Sequence, residues 1–161
     1  MFPVLVFGQT QNYIKTTTYR EPGATNPVEN ITYFDGLGRP IQQIAHKQSA
    51  TGNDIITHME YDGLGRQVKE YLPYSKWYGT PSLNYGGSAQ VETMAYYSTY
   101  DPSVTGNPTF DQTSNPYSEK LFEASPFNRV LKQAAPGNPW AMGGGHEVKF
   151  EYLSNVKNEV K

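Results

Sequence analysis

The chain has 161 residues, a formal net charge of −2, 37% hydrophobic and 14% aromatic content, and no cysteine. One domain fits that length, and the 13 tyrosines supply ring surface for a core. No basic field exists to gather nucleic acid or an anionic membrane. Disulfide frames, thiolate metal sites and cysteine nucleophiles are excluded, and no apolar run approaches the roughly 20 residues of a membrane span.

Residues 1–8, Met1-Phe2-Pro3-Val4-Leu5-Val6-Phe7-Gly8, are apolar and stop abruptly at Gln9. Two readings stand side by side: the closing half of a secretion leader, or a buried N-terminal strand. Asn12 to Arg20 (NYIKTTTYR) is rich in Thr and Tyr and is expected to be a strand. Glu21-Pro22-Gly23 and Asn26-Pro27 then break it.

The next stretch repeats. Tyr33-Phe34-Asp35-Gly36-Leu37-Gly38-Arg39 is followed, after a step of 27 residues, by Tyr61-Asp62-Gly63-Leu64-Gly65-Arg66. A step of that size belongs to repeat architectures. Each copy is expected to be strand, turn, strand, with Ser49 to Asp54 as a polar hairpin loop between them. Asp35 and Asp62 can accept a backbone N–H two residues on, and both glycines of each copy can take positive φ. Arg39 and Arg66 open the return strands, where a guanidinium can cover a ring. Leu121 to Lys132 (LFEASPFNRVLK) reads as a degenerate third copy, with Ser-Pro and Asn in place of the glycines.

Between the second and third copies lies a Pro- and Gly-rich interruption, about residues 73–116. Within it Ser88 to Tyr100 is expected to form a short helix, Ser88 as N-cap and Val91, Met94 and Ala95 on one face. After the third copy, Pro136 to Trp140 and Gly143-Gly144-Gly145 read as loops. His146 to Leu153 (HEVKFEYL) alternates like a strand, and residues 154–161 form a polar tail.

These units closely resemble the YD repeats of the RHS family. That family includes bacterial polymorphic toxins, shell components of insecticidal toxin complexes, and teneurins. The resemblance rests on Tyr33, Asp35, Gly36, Gly38 and Arg39, and on Tyr61, Asp62, Gly63, Gly65 and Arg66, with Phe34 read as an insertion in the first copy. The wider pattern, from NYIKTTTYREP to LFEASPFNRVLKQAAPGNPW, is similar to the N-terminal domain of exported Bacteroidetes RHS-type proteins and covers about residues 9–153. The resemblance implies a structural repeat motif rather than a site. It further implies a β-shell, export to the medium or bacterial cell surface, and either a front fragment of a larger protein or a small remnant of one.

Little catalytic chemistry can be assembled from the sequence. Gly-x-Ser-x-Gly does not occur, and no Gly-Lys-Ser/Thr follows the glycine clusters. His46 and His58 are equidistant from residue 52 and are expected to face each other across strands as a polar pair; no metal or other cofactor is expected. Tyr71, Tyr74, Trp77, Tyr78, Tyr85, Tyr96, Tyr97 and Tyr100 crowd one region. They are expected to pack the interruption onto the sheet; exposed, Trp77, Tyr78 and Tyr85 would be candidate contacts for a glycan or a partner.

The expectation is therefore a mostly β fold of consecutive antiparallel hairpins, with one long embellishing loop and one short helix. Its function is expected to be structural and non-catalytic. Its partners would be the rest of an RHS-type chain or a protein covering the sheet edges. Two alternatives are a glycan- or cell-surface-binding module built on residues 71–100, and a secretion substrate engaging export machinery.

Overall fold

Short runs of Thr, Val, Ile and Tyr separated by glycine turns fold into two antiparallel sheets and one helix. The computed structural model describes residues 12–23, 25–77, 88–99 and 112–154. The first sheet contains β1 (Asn12–Thr18), β2 (Val28–Phe34), β3 (Pro40–His46), β4 (Asp54–His58) and β6 (Tyr74–Lys76), in the order β1-β2-β3-β4-β6. The second contains β5 (Lys69–Tyr71), β7 (Tyr117–Phe122), β8 (Val130–Ala134) and β9 (Val148–Lys149), in the order β5-β7-β8-β9. The helix α1 is Ala89–Ser98, and a short 3-10 turn spans Asn138–Trp140.

The period-two alternation of the first sheet places its core. Ile31, Ile44, Ile56 and Tyr74 are cross-strand partners in one row over β2, β3, β4 and β6, and all four are buried. Each isoleucine contributes on the order of 1.5–3 kcal/mol by leaving water. Ala89 closes the row from the helix, with Tyr96 and Tyr97 packed beside it. In the neighbouring row Tyr33, Gln42 and His58 are partners. Gln42 is 0% exposed, and neither end of its amide makes a hydrogen bond.

Several expectations change on the structure. The second copy is not a hairpin: β4 stays in the first sheet and β5 enters the second, joined only by the bridge Met59–Glu70. Asp62 to Arg66 is thus the corner between the sheets. β6 lies inside the stretch read as an interruption, where Tyr74 needs a place in the core row.

The helix is present but rotated. Its buried positions are Ala89 and Thr93, whereas Val91 is 66% exposed. The stripe Ala89, Thr93, Tyr96 and Tyr97 has helical spacing, and the two rings outweigh Val91 and Ala95 in buried area. Ser88 makes no capping bond; its hydroxyl donates to Glu92 at 3.1 Å instead.

His46 and His58 do not pair. His58 stands opposite Gln42, and His46 binds Asp54. The paired part of the hairpin is centred two residues earlier than expected: the Ser49–Asn53 turn is centred one residue early, and Lys47 and Gln48, bulging beside Asp54, add the other. The strand expected over His146 to Leu153 is only Val148–Lys149. Residues 1–8 and 155–161 lie outside the described residues.

Candidate functional site

Asp35 to Arg39 and Asp62 to Arg66 adopt the same turn, bond for bond. The Asp35 N–H donates to the Arg39 carbonyl at 2.9 Å and the Gly38 N–H to the Asp35 carbonyl at 3.0 Å. Asp35 Oδ1 accepts the Leu37 and Arg39 N–H groups, both at 2.9 Å, and Oδ2 takes Arg39 Nε at 2.7 Å. Asp62, Leu64, Gly65 and Arg66 repeat every one of these bonds within 0.1 Å. Gly38 and Gly65 both sit at φ +78°, while Gly36 and Gly63 have ordinary φ. The expectation that both glycines of a copy use positive φ is corrected: only the second does.

The third copy builds the turn from other residues. Glu123 replaces the aspartate and takes Arg129 Nε on both oxygens, at 2.9 and 3.0 Å. Ser125 Oγ accepts the Phe127 N–H, and Asn128 takes the left-handed position at φ +54°. The loop expected over Ser49 to Asp54 is a fourth turn, and its likeness to the other three went unread in the sequence. Ser49 to Asn53 has the same backbone bonds, with Ser49 Oγ accepting the Asn53 N–H at 2.7 Å and Gly52 at φ +76°. The signal was a turn former followed three residues later by glycine.

The carboxylates are held ionised. The Arg39 N–H foremost, and the Arg39 guanidinium, keep Asp35 below its ordinary value despite partial desolvation; Arg66 does the same for Asp62. Arg129's guanidinium, helped by Ser125, pushes Glu123 down to about 2.

The arginines also reach forward. The Arg39 guanidinium lies 4.5 Å from the ring centroid of Tyr61, whose hydroxyl donates to the Pro40 carbonyl at 2.9 Å. Arg66 lies 4.8 Å over Phe122, and Arg129 4.9 Å over Tyr152, whose hydroxyl donates to Val130 at 3.0 Å. Two residues before each ring, a backbone N–H bonds the carbonyl two residues after the arginine. The pairs are Met59 to Ile41, Lys120 to Val68 and Phe150 to Leu131, at 3.0, 2.9 and 2.9 Å. One joint is thus built three times, each tying a turn to the strand of the next unit.

Phe34, Tyr61 and Phe122 are the residues immediately before the acid. Phe34 and Phe122 also pair alike, with the residue just after the arginine, Pro40 and Val130, beside a register shift in each hairpin. Phe34 is therefore not an insertion; it holds the repeat's ring position, and Tyr33 belongs to the core.

At the corner, His58, Glu60, Tyr71 and Gln90 form a polar node. Tyr71 donates to Glu60 at 3.0 Å, and Gln90 from α1 donates to Glu60 and to the Tyr71 oxygen, both at 3.0 Å. His58 packs on Tyr71 with centroids 5.1 Å apart. Burial pushes Tyr71 up to about 12 and His58 down, the latter opposed by Glu60. A phenol so disposed donates rather than accepts, so the node ties sheet to helix. Among the described residues no group of three or more His, Asp or Glu is placed to hold a metal ion.

The aromatic region divides. Tyr71 and Tyr74 are buried, and Tyr96 and Tyr97 are packed on the core. Trp77 is 73% exposed. Tyr78, Tyr85 and Tyr100 lie outside the described residues. No helix among the described residues is long and apolar enough to cross a membrane.

The family described as Domain of unknown function (DUF6443) matches residues 9–154. No curated protein and no solved structure matches the chain.

Proposed function

The chain belongs to the DUF6443 family, and on that premise we propose that it is a non-catalytic structural segment of an exported, RHS-like YD-repeat shell protein. The observation that carries this reading is the joint made three times, Arg39 to Tyr61, Arg66 to Phe122 and Arg129 to Tyr152. Each turn is closed by its own acid and then spends its arginine on the following unit. The polar groups in these turns are bonded to one another, which suits a structural device. The Tyr-, Thr-, Asn- and Gly-rich, charge-poor composition suits a protein working outside the cell.

Two measurements test the reading. A screen against glycosides, esters, peptides and phosphoesters should give background only; turnover abolished by changing one acid or histidine overturns it. Arg66→Ala should lower the melting temperature by several degrees, since a cation–ring contact of about 1 kcal/mol corresponds to about 2–4 °C at this size. An unchanged melting temperature removes the joint as its basis. Further Asp-Gly-Leu-Gly-Arg units in the surrounding reading frame are expected.

A second reading, a surface-binding module for a glycan or protein partner, is favoured by exposed Trp77 at the end of β6. Loss of binding to immobilised glycans or cells on Trp77→Ala would support it.

A further inference from the structure

A cleft of roughly 610 Å³ opens between the connection of β1 to β2 and the outgoing end of β3. Arg20, Asn26 and Pro27 line one side and His46, Lys47 and Gln48 the other. The acid in its wall, Glu29, is engaged with Lys15 at 2.6 Å. Arg20 and Lys47 have no ion pair among the described residues.

The Lys47 wall is built at a conformational cost. Lys47 has φ +53°, a region that non-glycine residues seldom occupy. Asp54, buried beneath it, holds it there: Oδ1 accepts the Lys47 N–H and contacts His46 Nδ1, both at 2.8 Å. Strain of this kind collects where a side chain must be aimed. With Nδ1 on Asp54, Nε2 is the His46 nitrogen left to a ligand. Gln48 donates from Nε2 to the Glu29 carbonyl and to Asn30, which leaves its oxygen as an acceptor.

Two cations beside an acceptor, the Gln48 oxygen, define a ligand. It carries negative charge and also donates hydrogen bonds. Sulfate meets the first requirement only, and inorganic phosphate, although its P–OH donates, fills little of a cleft of this size. We propose that this cleft binds an acidic saccharide, its carboxylate between Arg20 and Lys47 and its hydroxyls on Asn26, Gln48 and His46. The volume accommodates more than one sugar unit, within the usual range for small-ligand sites of about 300–1,000 Å³, and Pro27 offers an apolar surface to a sugar ring.

The test is calorimetric titration of the full chain with digalacturonate, its neutral counterpart digalactose, and inorganic phosphate. Digalacturonate should bind more tightly than both. Arg20→Gln should weaken it about tenfold, as for one charged hydrogen bond. Lys47→Gly separates binding from folding. Glycine relieves the strain, so the melting temperature should rise while affinity falls about tenfold. Absent binding, equal binding of digalactose, equal binding of phosphate, or a stabilised Lys47→Gly variant with undiminished affinity each overturns the proposal. None of these residues belongs to a joint, so failure here leaves the structural reading standing.

Discussion

Gly36 and Gly38 stand two residues apart in the first turn, yet only the second sits where a Cβ is penalised. Gly38→Ala and Gly65→Ala should each cost about 1 kcal/mol or more in chemical denaturation. Gly65→Ala should cost the more, because the new Cβ would meet Arg39 Nη1 at 3.2 Å. Gly36→Ala and Gly63→Ala should be close to neutral, with no atom within 4 Å. The repeated sequence made the turn legible but not this division, since a glycine's letter is the same whichever φ it takes. Titration follows from the same turns. Glu123 sits at about 2 when folded and near 4.5 otherwise. The unfolded chain therefore binds the extra proton between those values, and stability present above pH 4.5 is lost as pH falls towards 2. Glu123→Gln should flatten that part of the stability profile. Phe122 alone among the three joint rings lacks a hydroxyl; Phe122→Tyr should reach the Gln67 carbonyl and add about 0.5–1.5 kcal/mol.

Strands were readable from Thr, Tyr and Ile alternation, but their partners were not. Nothing in Arg66 to Tyr71 says that the return arm joins β7 rather than β4; that choice is made by Tyr71 packing at a tilt against Tyr117 and by Leu72 bonding the Pro116 carbonyl at 2.9 Å. Likewise α1 was placed correctly but turned wrongly, because its face is chosen by a core row assembled from four distant strands. His58 at the corner is lowered chiefly by burial. Protonation then favours the unfolded chain, so stability held above pH 6.5 is lost as pH falls through the folded value. His58→Asn should show a flatter melting profile below pH 6.5. Gln42 breaks its own row by burying an amide with no hydrogen bond. Gln42→Met keeps the length and removes the desolvated group, and should raise stability by about 1 kcal/mol in urea.

At the scale of the molecule, β1 ends the first sheet with all seven residues exposed, Ile14 at 60% among them. An edge of this kind invites another strand. Sedimentation velocity should show association that grows with concentration and weakens in Ile14→Lys; a monomer throughout would mean that the edge is covered by its own chain. The overall class was legible because turn chemistry and period-two patterning are local. The joints were not, because they link residues from about twenty to more than fifty positions apart and are written only as a recurrent arginine and a recurrent ring. They also give the molecule a direction. In each of the three joints the arginine meets a ring made later in the chain. A chain threaded amino end first through a ribosome or a membrane pore would close its units one behind another, each newly emerged ring latching the unit already outside.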